Sequence, residues 1–201
     1  HFANEAVNLI AHREEHVTPV KDDELTRYIQ TPDSISEQGN LLIILFESLE
    51  DWTVGLEVNG HEVTSNINRL VAHPMTGHYP MTAQVKEGKS SDAQLMLFNG
   101  LLPIKNGAAS MRYAGNTYPS FVKYSHACTK RLFAAYPSNM WNQYMNAYAY
   151  GFDTLYAEIV SDRVVADSVH SAIKRYRMPF IYTMVTMASH SPFTEYADSS
   201  S

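Results

Sequence analysis

The chain has one cysteine in 201 residues, Cys128, so it forms no disulfide within itself and builds no cysteine-based zinc cluster. One thiol leaves the redox compartment open. Positive charge is also scarce, with 15 Lys and Arg against 21 Asp and Glu, a formal charge of -6. Nucleic-acid surfaces need clustered Lys and Arg against the phosphate backbone, and no such stripe occurs, so nucleic acid is excluded as a partner. Long apolar runs are missing too. The longest is 41–46 (LLIILF), far short of the roughly 18 residues a membrane-crossing helix requires. His1 opens the chain with no basic stretch leading into an apolar one, so any signal or membrane anchor is expected outside this sequence. There is no internal repeat, and low complexity is confined to the tail 199–201.

Hydrophobic residues make up 45% of the chain, enough for one globular core with an appendage. Residues 1–37 form the appendage. An amphipathic pattern over 1–10 gives way to a charged, apolar-poor stretch over 13–38 that carries Pro19 and Pro32, as an arm or linker does. From Gly39 onward strand and helix patterns alternate. Residues 41–46 read as a buried strand, 66–72 and 91–101 as helices, 118–128 as another helix, and 131–134 as a short strand. A helix over 140–148, a strand over 152–156 and a helix over 162–176 follow. The last helix is marked on one face by Val164, Val165, Ser168, Val169, Ala172 and Ile173. The stretch 179–188 (PFIYTMVTMA) closes the series as a β-branched and aromatic strand. This alternation predicts a three-layer α/β/α sandwich around a mostly parallel sheet.

In such sheets ligands gather at the carboxyl ends of the strands, so polar residues that directly follow an apolar strand are the first candidates. Glu47 follows the first strand and His190 the last. The segment 88–92 (GKSSD) adds two hydroxyls behind a glycine where a helix begins, a place that exposes free N–H groups and a helix dipole to an oxyanion, with Lys89 adding charge. Structural roles account for the same residues. A carboxylate after a strand also serves as a solvated loop residue or a helix N-terminal charge. A histidine before Ser-Pro also serves as a loop residue, and a serine N-cap with Asp92 in the first turn explains GKSSD without chemistry. His73 and His78 flank a loop at a spacing that suits a helix, which this segment is not. Tyr144, Tyr148, Tyr150, Phe152 and Tyr156 fit core and rim positions, with an aromatic cleft for a sugar or glycerol group as the alternative. The methionines read as core filler.

An ordered set of segments ties these candidates together: 40–50, 62–70 (EVTSNINRL), 88–104 (GKSSDAQLMLFNGLLPI), Trp141-Asn142-Gln143, Tyr150-Gly151-Phe152-Asp153 and 189–193 (SHSPF). Over about 38–195 they resemble the sulfatase-like family of the alkaline phosphatase superfamily, which includes lipoteichoic acid synthase. The resemblance implies an alkaline-phosphatase-like fold, with 38–201 as the N-terminal portion of a sulfatase-like catalytic domain. It implies that Glu47 ligates a divalent metal, manganese first and Mg, Ca or Zn otherwise. Ser90 would be both metal ligand and nucleophile, in the place of the family's threonine. His190 would contact the substrate oxyanion, and Trp141, Gln143 and Lys89 would line the substrate site. Gln143 stands where lipoteichoic acid synthase has arginine and cannot grip an oxyanion bidentately, and no histidine appears in 133–135, so an ester other than polyglycerol phosphate is expected. The Cys/Ser-x-Pro-x-Arg signature of formylglycine sulfatases is missing, since Thr129-Lys130-Arg131 follow Cys128, so the expected nucleophile is an unmodified serine.

By the same resemblance the substrate is a small-molecule or lipid-headgroup sulfate or phosphate ester handled on the extracytoplasmic face of a membrane. The family's remaining metal ligands come from a downstream Asp-His pair that this sequence lacks. The chain is therefore expected to be a fragment, incomplete at its C-terminal side, with an exposed sheet edge open to association, weak manganese binding and little turnover of its own. A catalytically silent binding module that keeps the fold is the alternative.

Overall fold

A computed structural model describes residues 39–176 and 179–191, so the arm expected over 1–37 and the Pro192-Phe193 end of SHSPF lie outside the described residues. Four strands, β1 (Leu41–Leu45), β4 (Thr129–Ala134), β5 (Thr154–Ala157) and β6 (Phe180–Val185), form one sheet in the order β1-β6-β4-β5. Every pairing in it is parallel. The central strand β6 is buried at all six positions, and β4 buries both Leu132 and Phe133, whose side chains lie on opposite faces. Burial on both faces requires a layer on each side, and with the helices packed against it the sheet is the middle of a three-layer α/β/α sandwich.

The most apolar run of the sequence is not central. Among the described residues β1 pairs with β6 alone, and Leu41, Leu42 and Ile44 remain 42%, 41% and 43% exposed, so the expectation of a buried strand at 41–46 is corrected there to an edge strand. A separate antiparallel hairpin, β2 (Glu57–Val58) and β3 (His61–Glu62), follows a 3-10 turn at Asp51–Thr53. Its loop is Asn59-Gly60, both at positive φ, the two-residue turn that matches strand twist.

Among the described residues the helices are α1 (Ser65–Val71), α2 (Lys89–Asn99), α3 (Ala109–Arg112), α4 (Phe121–Tyr124), α5 (Gln143–Ala149) and α6 (Asp162–Arg175). α6 shows why the local sequence folds as it does. The Ser161 hydroxyl accepts from the Val164 N–H, Lys174 and Arg175 oppose the C-terminal dipole, and Val165, Val169 and Ala172 turn inward. The helix expected over 118–128 is corrected to the single turn α4: Ser120 caps it, the chain becomes extended at Ser125, and β4 begins at Thr129 rather than 131. The helix expected over 140–148 is interrupted. A 3-10 turn, Met140–Asn142, ends in two left-handed residues before α5 begins.

The core holds an aromatic nest in which Phe98 meets Phe121, Tyr150 and Phe152 at centroid distances of 6.1, 5.7 and 5.1 Å. Burial pushes the Tyr118 phenol up to about 12 and raises Tyr136 and Tyr150 as well. Their folded values stand above the unfolded value near 10, so the stability they contribute is complete below about pH 10 and is lost as pH rises through the folded values. Titrated by phenolate absorbance, the protein is expected to ionise a late set of tyrosines together with its unfolding. Ionisation of every tyrosine near pH 10 with circular dichroism unchanged would contradict this core.

Candidate active site at the carboxyl edge of the sheet

Glu47 sits two residues beyond β1, and the neighbouring strand holds it there. The Thr186 N–H donates to the Leu45 carbonyl at 3.0 Å, and the Glu47 N–H donates to Thr186 Oγ1 at 3.1 Å, so the pairing of β1 with β6 continues past both strand ends. The Ser189 hydroxyl then donates to the Glu47 carbonyl. Ser48, at φ 56, turns the chain away and leaves the half-buried Glu47 side chain at the sheet edge.

Ser90 meets it from α2. Its hydroxyl donates to Glu47 Oε2 across 43 positions of sequence, and no side chain caps the helix. The serine-cap explanation of GKSSD therefore does not describe this turn. Asp92 organises it instead. Fully buried, its Oδ2 accepts from the Lys86 N–H at 2.9 Å and the Gly88 N–H at 3.1 Å, while Lys89 is held at φ 47, a conformation costly outside glycine. Burial, the largest influence, raises the Asp92 pKa against the pull of those two N–H groups. Gly88 uses none of glycine's conformational freedom, since its φ is -75. Its purpose is space: a Cβ there would lie 2.2 Å from Asp92 Oδ1.

Trp141 and Asn142, at φ 55 and 50, form a strained left-handed pair. Asn146 clamps it by donating to the Trp141 carbonyl at 2.8 Å and the Asn142 carbonyl at 3.1 Å. Ser110 joins the two turns. Its carbonyl accepts from Asn142 Nδ2 and Asn146 Nδ2, each at 3.2 Å, and its hydroxyl donates to Ser91 Oγ at 2.8 Å. Ser91 in turn donates to the Gly88 carbonyl at 2.6 Å. Asp92, Ser110 and Asn146 were not singled out as site residues in the sequence. Only Asp92 carried a signal, as the acid of GKSSD.

Gln143 requires correction. Expected to touch substrate, it is 1% exposed: its Oε1 accepts from the Tyr136 hydroxyl at 2.6 Å and from Gln94 Nε2 at 3.1 Å, and its Nε2 returns a bond to Gln94 Oε1 at 3.1 Å. The left-handed turn ahead of α5 delivers it inward, where its amide oxygen and nitrogen are both bonded to protein partners. Tyr136, its phenol raised chiefly by burial, also feels the Glu47 charge, so this network lies within electrostatic reach of the site.

His190 follows Ser189 in the turn after β6, with its ring exposed and Nδ1 against the Ser191 carbonyl. A carbonyl only accepts, so Nδ1 carries a proton and Nε2 is the nitrogen open to a ligand. The Asp162 carboxylate fixes that turn by accepting from the Met187 N–H at 2.7 Å and the Ala188 N–H at 2.9 Å. Lys89 is exposed at the start of α2, and Trp141 is half-buried. His78 pairs with Asp51 at 2.7 Å, not with His73. Among the described residues no group of three His, Cys, Asp or Glu side chains converges as a metal site. Glu47 Oε2 and Ser90 Oγ are hard oxygen donors brought together, which fits two positions around an oxygen-seeking divalent cation.

No family model matches the chain. It is 26% identical over 175 residues to lipoteichoic acid synthase 2 of Bacillus subtilis (strain 168), covering 79% of this chain and 27% of that protein. It is 24% identical over 177 residues to lipoteichoic acid synthase of Staphylococcus saprophyticus, with the same two coverages. The chain thus spans about a quarter of the length of these curated relatives. Among solved structures, the lipoteichoic acid synthase LtaP of Listeria monocytogenes superimposes with a TM-score of 0.67 at 17% identity, over 87% of this chain and 48% of that one. A protein of the alkaline phosphatase superfamily from Vibrio parahaemolyticus gives 0.63 at 20% identity, over 81% and 43%. The sequence similarities support the resemblance to sulfatase-like proteins and lipoteichoic acid synthases, and the structures show that the fold is alkaline-phosphatase-like.

Gly88→Ala should cost about 1–3 kcal/mol, an overpacking penalty, read as a lowered melting temperature. Combined with Asp92→Ala, which removes the atoms it strikes, its cost should fall well below additivity. An unchanged melting temperature for Gly88→Ala would refute this account of the turn.

Proposed function

We propose that this chain carries the nucleophile side of a catalytic site for phosphate- or sulfate-ester cleavage or transfer, with Ser90 attacking. The observation that carries the reading is the Ser90 hydroxyl on the Glu47 carboxylate, at the carboxyl edge of a parallel sheet, on a strained helix entry that the serine does not cap. Glu47 and Ser90 would hold a divalent cation, manganese in first place and Mg, Ca or Zn as alternatives. When bound, such a cation lowers the pKa of a coordinated hydroxyl and polarises the ester.

The chain's own residues do the rest. Glu47 Oε2 receives the Ser90 hydroxyl hydrogen bond and so orients Oγ. Ser90 Oγ forms a bond to phosphorus or sulfur while the bond to the ester oxygen on the far side breaks, and the leaving alcohol departs with a proton. The first turn of α2, Lys89 and a doubly protonated His190 ring, donating from Nε2, would meet the negative charge on the remaining oxygens. Water or an acceptor alcohol then attacks the ester on Ser90 and frees the serine, and the choice between them separates hydrolase from transferase. Gln143 and Tyr136, buried and bonded to each other and to Gln94, act on the site only through charge.

The curated relatives are named for making lipoteichoic acid, a phosphate-linked polymer, and this favours a phosphate ester, soluble or on a lipid headgroup, at the outer face of a membrane. Among the described residues no helix is long and apolar enough to cross a membrane. Trapping with an activated aryl phosphodiester and manganese, in the full gene product, should place a phospho-adduct on Ser90 by peptide mass. Ser90→Ala should abolish both the adduct and turnover. An adduct on another residue, or full activity in Ser90→Ala, would overturn the assignment.

A further inference from the structure

Away from the carboxyl edge, a cavity of about 470 Å³ runs along the flank of α6 over β4, and none of its lining residues belongs to the site above. Its chemistry is cationic. The Arg131 guanidinium lies over the Tyr176 ring at 4.3 Å and that of Arg175 at 5.7 Å, so two positive groups gather around one aromatic ring. Among the described residues no carboxylate forms an ion pair with either arginine. Arg131 Nε is buried with no hydrogen-bond partner, and an unmet buried donor of this kind costs about 1–3 kcal/mol. Ser168 and Ser171 line the same wall; the Ser168 hydroxyl is committed as donor to the Val164 carbonyl at 2.9 Å, which leaves the Ser171 hydroxyl to donate to an anion there. Asp167, exposed on the same wall, offsets one of the two positive charges.

We infer that this cavity is a second ligand site, for a small oxyanion such as a phosphate or sulfate group, gripped by Arg131 and Arg175. Planar guanidinium forks match tetrahedral oxyanions; Arg131 Nε is sealed from the cavity, so the grip falls to the terminal nitrogens, and such a ligand offsets the repulsion between two guanidinium groups held near one ring. With Asp167 present the cavity carries a net single positive charge, which suits a compact anion and not a polyanion. The site is independent of Ser90: it lies on the flank of α6 across β4, while Ser90 is on α2 at the sheet's carboxyl edge.

The test is a calorimetric titration of the full chain with inorganic phosphate at constant ionic strength. Saturable binding is expected that survives Ser90→Ala and weakens about tenfold, the loss of one charge-assisted hydrogen bond, in Arg175→Met and in Arg131→Met. Arg175 is exposed, so its variant reports on binding without disturbing the core. A parallel sedimentation with phosphatidate-containing vesicles distinguishes the sources. Arg175-dependent capture identifies a lipid headgroup, and phosphate binding without capture identifies a soluble ligand. No phosphate binding, binding unchanged in both arginine variants, or binding lost in Ser90→Ala would each overturn the proposal.

Discussion

Burying the Asp92 carboxylate is the constraint on which the candidate site depends. Removing a carboxylate from water is costly, and here two backbone N–H groups, those of Lys86 and Gly88, offset that cost. To accept both, the chain must double back ahead of α2, with glycine where Asp92 presses and a left-handed Lys89 at the corner. That corner presents Ser90 outward as the first hydroxyl of the helix. Ser91, one residue on, faces inward and bonds to Gly88 and Ser110. A turn built from ordinary helix capping would have used Ser90 internally.

The second requirement is that Glu47 be waiting. Parallel pairing of β1 with β6 brings the residues after both strands to one edge, and Thr186 and Ser189 extend the pairing with side-chain hydroxyls until Glu47 is held by its own backbone. Its carboxylate is thus left for Ser90. Ser110 couples this assembly to the strained Trp141-Asn142 turn, so three segments distant in sequence share one hydrogen-bonded frame. Strain at Lys89, Trp141 and Asn142, clustered around one edge, is where a folded protein commonly keeps its chemistry.

Much of this was legible in the sequence, for local reasons. Glu47 and His190 follow apolar strands directly, and Ser90 follows a glycine at a helix start. Such placements depend on neighbours only. The parallel α/β plan was legible from the alternation of patterns. What escaped was decided by strand order or by side-chain contacts one helical turn away. The edge position of β1 depends on strand order, which no local window contains. Gln143 turns inward because Trp141 and Asn142 before it adopt left-handed geometry, Trp141 against its propensity, stabilised by Asn146 from the next turn. Gly88 reads as flexibility in sequence and proves to be clearance, because the side chain that requires the space arrives from four residues away.

In the proposed site Glu47 and Ser90 would act together as oxygen ligands of one divalent cation. Manganese titration followed by electron paramagnetic resonance measures this directly, since bound ion loses the six-line signal of the free hydrated ion. The account predicts that Glu47→Gln weakens manganese binding by at least about tenfold with the circular dichroism spectrum intact. Equal manganese affinity in the wild-type chain and in Glu47→Gln would contradict it.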